Sequence, residues 1–161
     1  MNPLLIRFQD GFLLERLLGK EVKEFDKNLI QEFIKEVKKH EQELMKEIEN
    51  YTGKKWIIKE LDVFLVQRPL RSFSSPLVIS VSDKGVYRLL LTLVHELIHV
   101  NITQDKTLDK TIVRGRLSPP TSFRDVHDGI EYGAHIIVEK VFPHIIDRIK
   151  KCFFSRRVSE G

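Results

Sequence analysis

The chain has 161 residues, with 27 basic against 23 acidic side chains, a net charge of +4 and 42% apolar residues. That length suits one domain, and the apolar share excludes a disordered polyelectrolyte. A single cysteine, Cys152, excludes a disulfide-stapled scaffold and any Cys-rich zinc module.

Residues 3–19 read as a short helix, because Leu4, Leu5, Phe8, Phe12, Leu13 and Leu17 recur near helical spacing. Asp26 suits the N-cap of a long helix reaching about Asn50, and Gly53 stands where a stop belongs. The apolar stripe of this helix runs Leu29, Ile30, Phe33, Ile34, Val37, Leu44, Met45 and Ile48. It can pack within the protomer or pair two chains into a homo-oligomer. Trp56–Ile58, Val63–Val66 and Leu77–Val81 then favour strands. Asp83 can cap a helix over 84–102. A loop with Pro119 and Pro120 follows, and Ser122 with Asp125 forms a capping-box pattern for a helix to about Phe142. Pro143 should end or kink that helix, with a further helical piece to about Phe154. The fold class is α+β, a single domain over 1–161. Its parts are a helical N-terminal region (1–52), a core (53–145) and a basic tail (146–161).

The longest apolar run, Leu89–Val100, is interrupted by His95, Glu96 and His99. It falls short of the roughly 20 residues a bilayer needs. A cytoplasmic location without membrane contact is the expectation.

That interruption carries the chemistry. In His95-Glu96-Leu97-Ile98-His99 the two histidines lie four apart, on one helical face, and can share one ion. Two neutral imidazoles with an oxygen ligand suit zinc, leaving a fourth position for water. Glu96 adjoins the first histidine and can take a proton from that water. Three titratable groups in an apolar run are costly without a common partner. Downstream, His127, Glu131, His135 and Glu139 are spaced by fours along one helical face. Glu131 is the choice for a third ligand, with His135 as a partner that orients it.

This arrangement resembles the gluzincin clan of zinc peptidases, and the short chain looks closest to its minigluzincins. The resemblance covers about residues 55–145, and the HELIH motif is its sharp part. It implies a zincin-like fold: a small three-stranded sheet over an active-site helix, a C-terminal helix bearing the glutamate ligand, and N-terminal helices before them. It also implies a metallopeptidase holding one zinc ion per chain by His95, His99 and Glu131, with Glu96 as general base and acid. A peptide or unfolded protein would be the substrate, paired against the Leu77–Val81 strand. The gap from His99 to Glu131 is longer than in thermolysin-like enzymes. His127-Asp128 also resembles the third-ligand region of SprT-like three-histidine zincins, which would make His127 the ligand.

Tyr132, His127, Arg114 and Arg116 are candidates for stabilising an oxyanion. The tail from Lys150 to Arg157 has three readings: a helix end suited to the helix dipole, a plug that keeps the cleft latent through Cys152, or a contact with phosphates. Two other functions stand beside the peptidase. One is an inactive zincin-like binding protein. The other, disfavoured for want of a recognition motif, is a nucleic-acid-associated protein using Arg114, Arg116, Arg124 and the tail.

Overall fold

The computed structural model describes residues 4–10, 26–67, 73–74, 77–81, 85–104 and 126–159. The order of elements is β1 (Leu5–Asp10), α1 (Lys27–Thr52), β2 (Glu60–Gln67), β3 (Phe73–Ser74), β4 (Leu77–Val81), α2 (Val86–Thr103), α3 (Val126–Val141) and α4 (Pro143–Ser159). The fold is α+β. No helix among the described residues is long and apolar enough to cross a membrane.

The four strands lie in the order β1-β2-β4-β3. β1 and β4 both run parallel to β2, and only the short β3 is antiparallel. Parallel neighbours need a crossover, which α1 supplies between β1 and β2. Leu4, Ile6, Val63, Leu65, Leu77, Ile79 and Val81 turn to one face of the sheet and join a single core with the helices. In α1 that core takes Phe33, Val37, Leu44, Met45 and Ile48. Of the remaining stripe residues, Leu29, Ile30 and Ile34 are partly buried against the same core.

Both ends of α1 form as the sequence suggests. The Asp26 carboxylate accepts from the amides of Asn28 and Leu29, each at 3.1 Å. Gly53 adopts φ 70°, the left-handed conformation in which its N–H reaches the Glu49 carbonyl at 2.8 Å. A buried polar knot then ties this end to the end of α2. The Thr52 hydroxyl lies 2.6 Å from Asn101 Oδ1, and Asn101 Nδ2 donates to the Lys54 carbonyl at 3.2 Å.

Two expectations for the first 60 residues are corrected. Residues 5–10 form a strand, where a helix over 3–19 was expected, so α1 is the one N-terminal helix among the described residues. Leu4 and Ile6 are buried and Leu5 and Arg7 exposed, an alternation of period two. The pairing is reinforced by Arg7, which reaches Asp62 at 3.0 Å and Glu60 at 3.1 Å on β2. Trp56–Ile58 is not a strand. Its amides are taken by side chains: Trp56 N–H donates to Glu49 Oε1 and Ile57 N–H to Gln104 Oε1, both at 2.9 Å. The sheet therefore has four strands, where three were expected, and β1 replaces Trp56–Ile58 as a member. The caps expected from Asp83 and Ser122, the loop from 105 onward, and Arg114, Arg116 and Arg124 lie outside the described residues. So do the side chains of the tail from Cys152 on.

Candidate metal centre

α2 is apolar on nearly every side, with Leu89, Leu90, Leu93, Val94, Leu97 and Ile98 almost fully buried. It runs through the centre of the molecule between the sheet, α1 and α3. His95 and His99 leave this core on the face that meets α3. His95 Nε2 and His99 Nε2 are 3.2 Å apart. Two nitrogens about 2.05 Å from one tetrahedral ion would be about 3.3 Å apart, so the pair already stands at ligand spacing.

His127, in the first turn of α3, completes a trio. Each of the three imidazoles offers a nitrogen, and these atoms lie within 4.8 Å of one another. The His127 ring is centred 4.9 Å from that of His95 and 6.2 Å from that of His99. Glu131 falls outside the trio. Its Oε2 meets His95 Nδ1 at 2.9 Å, on the opposite side of the ring from the nitrogen that faces His99. A carboxylate there accepts a hydrogen bond from the Nδ1–H of the neutral ring and so leaves the Nε2 lone pair free for an ion. His135 stands one turn further on, with Nε2 3.5 Å from Glu131 Oε1. The Tyr87 hydroxyl lies 3.4 Å from His135 Nδ1 and closes the row. Tyr87 was not anticipated, although it sits eight residues before His95 and so shares its helical face.

Burial and the neighbouring rings set the charge of the site. Desolvation, helped by the adjacent His95 and His127, pushes His99 down to about 4. Desolvation also lowers His95, against the pull of Glu131. Both rings are therefore neutral near pH 7, the form that binds a cation. Glu96 is 9% exposed, and burial raises its carboxyl, with His127 as the opposing charge. Its electrostatic neighbour is thus the imidazole of the trio that comes from α3.

α3 is held at this distance by a second device. Tyr51, at the end of α1, donates its hydroxyl to the Gly129 carbonyl at 2.6 Å. Its ring occupies the space that a Cβ at Gly133 would fill. Burial, with Tyr132 nearby, pushes the Tyr51 phenol up to about 12, so it stays a neutral donor. Tyr132 itself, an oxyanion candidate, is 38% exposed.

The donor set fits a zinc ion: three imidazole nitrogens from two helices, two of them at ligand spacing, with a carboxylate behind one ring and a buried carboxyl alongside. The chain matches no family model, no curated protein and no solved structure.

Proposed function

We propose that this chain is a zinc-dependent peptidase in which His95, His99 and His127 hold the ion. The observation that carries this reading is the convergence of the three ring nitrogens within 4.8 Å, two of them from the HELIH segment. Glu131, the ligand implied by the gluzincin resemblance, acts instead as the partner that fixes the His95 tautomer. In that respect the site is closer to the three-histidine zincins. When bound, zinc supplies a Lewis acid and a water acidified to near pH 7.

The chain's own residues do the rest. Glu96 takes a proton at its carboxylate and returns it to the leaving amine, a role favoured by a carboxyl raised through burial. Glu131, His135 and Tyr87 keep the His95 ring oriented through Nδ1. The substrate is an extended or unfolded peptide.

The test is zinc content and cleavage of unstructured casein by the untagged protein and by Glu96→Ala. The expected result is about one zinc in this centre for both proteins, with cleavage at least ~100-fold slower in the variant. Equal cleavage by the two would overturn the reading and leave a zinc-binding scaffold.

A further inference from the structure

We propose that Glu36, His40 and His144 form a second metal site, for a first-row transition dication such as Zn2+, clamping α1 to the start of α4. Nothing in this inference depends on peptidase activity at the first centre.

The three residues offer ligand atoms that lie within 4.8 Å of one another. Glu36 and His40 are four apart on α1 and so share a face. His144 comes from the second residue of α4, 108 positions away from Glu36, and its Nε2 lies 2.7 Å from Glu36 Oε2. The two imidazole rings are 5.5 Å apart and inclined at 31°.

His40 distinguishes this group from an ordinary ion pair. Its Nε2 is buried and makes no hydrogen bond. The nearest carboxylate oxygen, Glu36 Oε2, is 3.9 Å away, beyond hydrogen-bond reach. A buried ring nitrogen without a partner is costly. Yet the ring is firmly set, with the fully buried Phe142 edge-on at 5.3 Å. On its other side Nδ1 faces Glu43 Oε2 at 3.7 Å. That distance is likewise beyond hydrogen-bond reach, so the mark of the group is the unmet Nε2 beside a carboxylate and a second imidazole, a donor set that fits a cation. A cation here would satisfy His40 Nε2 and take the place of the direct contact between His144 Nε2 and Glu36 Oε2.

Two nitrogens and one carboxylate suit Zn2+, Co2+ or Ni2+. They do not suit Mg2+ or Ca2+, which favour all-oxygen shells. Ion pairs flank the group on the same side of α1: Glu32 with Arg148 at 2.6 Å and Glu47 with Lys140 at 2.8 Å. The ion would thus sit within a seam that already joins α1 to α3 and α4, and its binding would hold that seam shut.

The test titrates ZnCl2 into chelator-treated, untagged full-length protein carrying His95→Ala and His99→Ala, which disable the first centre. The expected result is about one Zn2+ bound per chain, a melting temperature that rises with Zn2+, and no response to Mg2+. Adding either His144→Ala or Glu36→Gln should remove both the equivalent and the rise. His144 is 45% exposed and Glu36→Gln conserves shape, so each variant should keep its helical circular dichroism. Failure of the double variant to bind Zn2+ would overturn the proposal, as would an equivalent retained after either further substitution. The first centre is read separately, in protein carrying His144→Ala alone.

Discussion

His127 and Glu131 lie one helical turn apart on α3, yet they stand in different relations to His95. One joins the ring nitrogens that face a common point, and the other meets Nδ1 from behind. Their substitutions should therefore separate. His127→Ala should abolish stoichiometric zinc in the first centre, whereas Glu131→Ala should keep it with affinity about 10–100-fold weaker. Competition with a chromophoric chelator measures both, and the reverse order would restore Glu131 as a ligand. The imidazoles also predict an acid response of the metal-free protein. His99 falls from its ordinary 6.5 to about 4 on folding, so the unfolded chain binds that proton first. The stability this group contributes is complete above about pH 6.5 and is lost as pH falls toward about 4. His95, lowered for the same reason, acts in the same direction. Glu96 has the opposite sign: its raised carboxyl costs stability as pH rises through its folded value. Melting temperatures of chelator-treated protein should thus decline below pH 6.5, and less steeply in His99→Gln. An identical decline in the variant would assign the slope to other groups.

Among the elements, α3 owes its position to contacts remote from the histidines. Tyr51 reaches over from α1, bonds the Gly129 carbonyl and fills the space above Gly133. Gly133→Ala adds a methyl group that the ring must vacate. Overpacking of this kind costs about 1–3 kcal/mol, partly offset by the roughly 1 kcal/mol that alanine gains over glycine in a helix. Net destabilisation by urea denaturation is the expected outcome, together with weaker zinc binding because His127 moves with the helix. Stability equal to the parent would show that α3 rests elsewhere. β1 shows how an element is chosen by its neighbours. Its residues fit a helical pattern when Leu13 and Leu17 are counted with them, and a strand pattern when Leu4, Ile6 and Phe8 are read alone. The open edge of β2, with Asp62 and Glu60 facing Arg7, decides for the strand. Local spacing contains no information about that edge. Trp56–Ile58 fails for the converse reason, since Glu49 and Gln104 satisfy its amides where a neighbouring strand would otherwise do so.

At the scale of the whole molecule, α2 is the centrepiece on which the sheet, α1 and α3 converge. An ion between His95, His99 and His127 would cross-link α2 to α3 across the long 105–125 segment. Its binding free energy would add to folding. In protein carrying His144→Ala, removing zinc with a chelator should lower the melting temperature by several degrees, reversibly on adding Zn2+ back, and differential scanning calorimetry reads this directly. A melting temperature indifferent to the chelator would mean that the trio does not bind the ion with useful affinity.

Chemistry carried within one helix was set by residue order alone. His95, Glu96 and His99 share a turn whatever surrounds them, and Asp26 and Gly53 bound α1 through hydrogen bonds spanning four residues or fewer. Selection among His127, Glu131 and His135 was a matter for the folded chain. All three occupy one face of α3 at equal spacing, and only the depth and rotation at which Tyr51 and the core seat that helix against α2 bring one ring to the other two. The same holds for His144, which no spacing rule connects to the Glu36–His40 pair and which meets it only because α4 turns back along α1 after Phe142.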